Sequence, residues 1–215
     1  MKIEHKFIND ILKPWDELNE LLSLPYCVEP SLSTITKMAI DIAISISHFA
    51  ENSGMKKRIE VAKECLNNQL MIDIADMAKH RKLNKLEREN KINVASLFEY
   101  IESSKFKFLR NKIIIEHNTY GKSDFIETSL NAIYYWSSIL NLAIKRTLTI
   151  KDNNISEKAT LIFNPKYCVH AEKVTYNFLK KNESGVLLEY DPKRFYIEII
   201  DLEGKVKAFA DVVTR

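Results

Sequence analysis

The sequence predicts a mainly α protein: a helical bundle over residues 1–150, then a small α+β subdomain over 151–215 carrying an antiparallel β meander. Three observations predict it. Apolar residues recur at spacings of three and four through successive windows of the first 150 positions, the period of a helix with one buried face. Glycine (4) and proline (5) are scarce in 215 residues, which favours long helices over a loop-rich sandwich. Beyond Thr149 the period changes to short β-branched and aromatic runs separated by Asp-Pro and Glu-Gly turns.

The first predicted helix covers residues 3–23, with Phe7, Ile11, Trp15, Leu18 and Leu22 as its stripe. Pro14 lies inside it and should kink or divide it, because proline lacks the N–H that bonds back one turn. Ser31 or Ser33 then caps a helix to about Asn52 that is apolar on nearly every side, as a central bundle member would be. Asp41 and His48 share one face of it. After the Ser53-Gly54 break a third helix is predicted from about Lys56 to Arg81, with the stripe Ile59, Ala62, Leu66, Leu70, Ile74 and Met77. Asn93 to Tyr100 reads either as a short strand or as an extended connection. Ser103 or Ser104 caps a predicted helix from Phe106 to His117, despite the β-branched run Ile113-Ile114-Ile115. Gly121 serves the loop that follows, and Ser123 starts a strong helix to about Arg146. In the tail, Ala159 to Phe163 reads as a strand and Asn164-Pro165 opens a helix to Lys181. Strands at Val186 to Tyr190, Phe195 to Asp201 and Lys205 to Val213 complete a β-α-β-β-β order.

Totals exclude more than they assign. The 46% hydrophobic content can bury a sizeable core without a metal or disulfide staple. Cys27, Cys65 and Cys168 are widely spaced and form no CxxC pattern, so they read as reduced thiols. The opening MKIEHKFIND has no apolar signal region, and the run Met38 to Ala50 is too short to span a bilayer. The expectation is a cytoplasmic protein with no membrane partner. A net charge of +3 makes no case for nucleic acid by itself. Its distribution offers one, since Lys79, Arg81, Lys82, Lys85, Arg88 and Lys91 face only Glu87 and Glu89. That segment reads either as a phosphate-binding wall or as a solvated face.

The chemistry centres on Phe106–Phe125. On a continuous helix, Arg110 and His117, seven apart, fall within about 20° of each other. Arginine can fork onto a phosphate and stabilise charge in a transition state, and a neighbouring histidine can move a proton near neutral pH. Together they suffice for metal-free RNA cleavage, in which a deprotonated 2′-hydroxyl attacks the adjacent phosphate. In this stretch the sequence resembles the HEPN superfamily, whose signature is an arginine, usually followed by a polar residue, then four to six residues and a histidine. The resemblance covers roughly residues 1–148. It implies a ribonuclease, of toxin or anti-phage type, acting as a homodimer with an antitoxin or defence-system partner protein. It assigns catalysis to Arg110 and His117 and positioning to Asn111.

Other readings stand beside it. Arg110 and His117 can instead be buried, tying helices to loops through Asp73, Asp76 or Asp124, in a catalytically inactive scaffold that binds a protein or nucleic acid. Asp73, Asp76 and His80 share one helical face and suggest either a metal-dependent hydrolase or Asp76 orienting His80. His80 itself reads as a second active-site imidazole or a loop anchor. Asn118 adjoins His117, and Tyr120 either stacks on a base or covers the end of the bundle. Trp15 and Trp136 lie on apolar stripes and read as core. No cofactor is called for. The absence of a Gly-rich phosphate loop, GxSxG, HExxH and CxxC argues against nucleotide hydrolases, serine hydrolases and zincins.

Overall fold

The computed structural model describes residues 2–24, 31–80, 82–101, 105–142, 144, 148–152, 175–200 and 205–213. The mainly α bundle is overturned by a five-stranded mixed sheet. Helices α1 (Ile3–Phe7), α2 (Lys13–Leu22), α3 (Ser31–Ser53), α4 (Arg58–Glu64) and α5 (Leu66–His80) come first. Strands β1 (Asn90–Ile101), β2 (Lys105–His117) and β3 (Gly121–Asp124) follow, then α6 (Phe125–Ile139). Strands β4 (Thr175–Lys181), β5 (Leu187–Glu189), β6 (Arg194–Ile200) and β7 (Val206–Val213) complete the described elements. The larger sheet has the order β3-β2-β1-β4-β5, with β1 and β4 parallel and the β2–β3 and β4–β5 pairs antiparallel.

The central correction is β2. The residues expected to form a helix from Phe106 to His117 form a strand. Three β-branched residues in a row fit a pleated surface better than a helix, where each loses side-chain freedom against the preceding turn. Burial shows the strand period directly: Asn111, Ile113, Ile115 and His117 are buried while Lys112, Ile114 and Glu116 between them are only partly covered. A three-residue turn, Asn118–Tyr120, leads into Gly121, whose φ of +72° is the left-handed conformation that a hairpin of this length requires. His117 pairs with Gly121 across it.

Other boundaries move for local reasons. Helical structure before Leu22 is interrupted by a π turn, Ile8–Leu12, placed directly ahead of Pro14, where the ordinary backbone bond cannot form. The helix expected from Lys56 to Arg81 breaks at Cys65, whose backbone is extended (φ −141°, ψ 109°), so α4 and α5 are separate. Ile59 and Leu66, expected on the buried stripe, are exposed as a result. The cap of α6 is Asp124 rather than Ser123: its Oδ1 accepts from the Ile126 and Glu127 backbone N–H groups at 2.8 and 3.3 Å. That helix ends at Ile139, short of Arg146. In the tail, the expected strand at Ala159 to Phe163 lies outside the described residues. So does most of the Asn164–Lys181 helix, while its last residues, Thr175–Lys181, form a strand. The meander is also corrected, since β5 pairs with β4 and β6 pairs with β7 in a separate two-stranded sheet.

The chain divides into two compact units. The first comprises Met1–Leu21, Thr34–Asn93 and Lys112–Lys151, and the second comprises Leu22–Ser33, Val94–Asn111 and Asp152–Arg215. In the first, Phe7, Phe49 and Trp136 pack in series, tilted and then edge-to-face, at ring separations of 5.3 and 4.9 Å. Both indole N–H groups are satisfied, Trp15 donating to Ser129 Oγ at 3.0 Å and Trp136 to Asn68 Oδ1 at 3.1 Å. The second unit is built on aromatic pairs, Phe98 with Phe108 and Phe178, and Phe178 with Phe106 and Phe195. Among the described residues, no helix is long and apolar enough to cross a membrane. Ile115→Ala, which empties a fully buried position, is expected to cost about 2–5 kcal/mol, read as a lower denaturant midpoint at unchanged slope.

Candidate functional site: a carboxylate–guanidinium groove

The first unit carries a groove of about 750 Å³ lined by residues from α4, α5, the loop before β1 and the β2–β3 turn. Its floor is Asp73. This carboxylate is fully buried, and it accepts from Gln69 Nε2 at 2.8 Å, Arg88 Nε at 2.6 Å and His117 Nε2 at 3.2 Å. Asp76, one turn further along α5, accepts from Arg58 Nη2 at 2.5 Å on one oxygen and from Arg88 Nη2 at 2.6 Å on the other. Charges therefore alternate: Asp73, Arg88, Asp76, Arg58. Arg88 directs Nε and Nη2 to the same Asp73 oxygen and bridges to Asp76 through Nη2, and such charge-assisted bonds are stronger than neutral ones.

Chain geometry explains how these residues meet. On one unbroken helix Arg58 and Asp76 would lie about 27 Å apart, so the break at Cys65 is what lets α4 bring its arginine to α5. A 3₁₀ turn at Leu86–Arg88 returns the other arginine to the same face. The β2–β3 turn holds that segment in place: Asn118 Nδ2 donates to the Leu86 carbonyl at 2.6 Å and Thr119 Oγ1 to the Glu87 carbonyl at 2.7 Å. Arg58 is fixed further by Ser47 Oγ, to which its Nε donates at 3.1 Å.

His117 is locked at both ends. Its Nδ1 accepts from the backbone N–H groups of Thr119 and Tyr120 at 3.1 and 3.3 Å, so the proton sits on Nε2 and points at Asp73. With side-chain exposure of 1%, this ring presents neither a free lone pair nor a proton to an incoming substrate. The expected helical partnership with Arg110 is corrected by β2. Residues seven apart on a strand fall on opposite faces, roughly 23 Å apart along it. Arg110 is buried and its Nε donates to the Asn111 carbonyl at 3.1 Å. Asn111 is also buried, accepting from Ser96 Oγ at 2.8 Å and donating to the Leu24 carbonyl at 3.2 Å. Asp124, a considered partner for the pair, caps α6 instead.

The remaining sequence candidates divide. Asp76 does not orient His80, which is exposed; its oxygens serve Arg58 and Arg88. Among the described residues no cluster of His, Cys, Asp or Glu side chains is arranged to hold a metal ion, and Asp73 and Asp76 are neutralised by arginine. Lys79, Lys82, Lys85 and Lys91 are exposed, Arg88 is drawn into the carboxylate network, and Arg81 lies outside the described residues. Asp41 and His48 do not pair: His48 Nδ1 lies 3.4 Å from Glu51 Oε2 on the surface. Tyr120 stands exposed at the groove, its ring 4.8 Å from that of His117. Sequence reasoning missed Arg58 and Gln69, and no local pattern marks Arg58, because its pairing exists only once the helix breaks.

Compared with protein-family models, curated proteins and solved structures, the chain matches none of them.

Burial pushes the Asp76 carboxyl upward, but the hydrogen bonds and charges of Arg58 and Arg88 outweigh it and hold the group below its ordinary range. A depressed folded value means that the charged form favours the fold. The contribution is complete above about pH 4, the ordinary Asp range, and is lost as pH falls through the folded value. Asp76→Asn is therefore expected to lower stability near neutrality and to flatten the acid limb; denaturant midpoints at about pH 7 and about pH 3 read this, and parallel limbs would contradict it. Asp73→Ala, which takes the buried acceptor from Gln69, Arg88 and His117 while Asp76 still holds Arg88, is expected to cost about 3–5 kcal/mol by the same measurement, more than Asp76→Ala at its partly exposed position.

Proposed function

We propose that this protein is a non-catalytic interaction module that takes its ligand in the Asp73–Arg88–Asp76–Arg58 groove. It is not a ribonuclease acting through Arg110 and His117. One observation carries the reading: the His117 imidazole, the residue on which metal-free RNA cleavage would depend, has both ring nitrogens engaged and is buried. A general base needs a lone pair within reach of the substrate proton, and here that lone pair faces two backbone N–H groups. The placement of Arg110 on the other face of β2 supports the same conclusion, because phosphate and proton chemistry must meet at one atom. His117 then acts as a strut. It closes the β2–β3 turn through Nδ1 and anchors it to α5 through Nε2.

Wild type, Arg110→Ala and His117→Ala compared on total and structured RNA in EDTA, with melting curves, test this. The expected result is no cleavage by any of the three and a melting temperature lowered by several degrees in His117→Ala. Cleavage by wild type that both substitutions abolish at unchanged melting temperature would restore the ribonuclease.

A further inference from the structure

Resting on that reading, the geometry points to the groove's ligand: we propose that it binds the phosphate of a nucleotide, held by Arg58, Arg88 and Lys85, with the base against Tyr120. Three features of the lining carry this, beginning with the layering of charge. Asp73 is 1% exposed and Asp76 19%, while Arg58 and Arg88 are 28% and 32% exposed, so solvent meets guanidinium over carboxylate. Both arginines grip the same Asp76 carboxylate through Nη2, one on each oxygen. Among the described residues no group accepts from Nη1 of either arginine, while Nε and Nη2 of both have partners.

The second feature is preorganisation. An arginine that must be gathered from solution loses rotamer freedom on binding, whereas these two are already fixed by Ser47, Asp73 and Asp76. The Nη1 groups of Arg58 and Arg88 and the Lys85 ammonium, with the Glu87 carboxylate beside it at the same groove, offer the several donors that the terminal oxygens of a phosphate accept. A carboxylate, with two oxygens, uses fewer of them.

The third is Tyr120. Its backbone N–H is tied to His117 Nδ1 and its ring rests near the imidazole, yet 46% of the residue is exposed at the groove. A fixed aromatic face beside an anion site is a stacking platform for a base. Ile59 and Ala62 of α4 line the same groove and add apolar surface to it. The chemistry is shared by a free nucleotide and by the phosphorylated end of an oligonucleotide.

Calorimetric titration in EDTA would use inorganic phosphate, adenosine, AMP and a short RNA with and without a 5′-phosphate, the RNA being run on a gel afterwards. AMP or the 5′-phosphorylated RNA is expected to bind at least tenfold tighter than its unphosphorylated counterpart. The stronger of the two identifies the source. Lys85→Ala and Tyr120→Ala, both at exposed positions, should each weaken binding about three- to tenfold without a change in melting temperature. Arg58→Lys, which retains a charge for Asp76 but not the fork, should weaken it further. Equal affinity for AMP and adenosine, or no binding by any phosphate compound with the RNA left intact, would overturn the phosphate site and leave the non-catalytic reading standing. RNA cut by wild type but not by His117→Ala would instead overturn the reading beneath it.

Discussion

A buried carboxylate organises the first unit. Asp73 has no exposure to solvent, and an ionised group without water must be matched by donors or it destabilises the fold by several kcal/mol, on the order of 3–5. Its donors come from separate parts of the chain: Gln69 from the same helix, Arg88 from the turn before β1, and His117 from the end of β2. Each must arrive for the others to be tolerated. That requirement explains why exposed loop residues such as Asn118 and Thr119 donate to the Leu86 and Glu87 carbonyls, since those bonds hold the segment carrying Arg88.

The same network shapes what the surface offers. Arg88 serves both Asp73 and Asp76, and Asp76 brings in Arg58, so a demand set inside the core fixes two guanidiniums at its edge. The carboxylates hold Arg88 through Nε and Nη2 and Arg58 through Nη2. His117 is held in the same network. A histidine between a carboxylate and two backbone N–H groups has its tautomer decided, which suits an anchor.

How much of this was legible depended on the range of each interaction. The indoles Trp15 and Trp136 sit at helical spacing and are core, because a large apolar side chain on a periodic stripe has few alternatives. Asp73 and Asp76 share a face of α5 as their spacing required. The Arg110–His117 pairing failed on the assignment of a single element: the same spacing of seven that aligns residues on a helix opposes them on a strand. The run Ile113-Ile114-Ile115 carried the correct signal, but the flanking residues were read as supporting a helix, and only pairing with β3 resolves it. The break at Cys65 has no glycine or proline to announce it. It allows an ion pair between residues eighteen positions apart, a relation that no window of local sequence contains.

By itself the sequence determined the helical character of residues 3–22 and 31–53, the turn residue Gly121, and the strands near the end, since propensity, capping and φ > 0 act over a few residues. Only the tertiary structure decided that β2 is a strand, that β4 and β5 join its sheet, and that Arg58, Arg88, Asp73, Asp76 and His117 meet. Strand pairing and ion pairing both depend on groups far apart in the chain. Their free energy is realised only when the backbone has already brought them together.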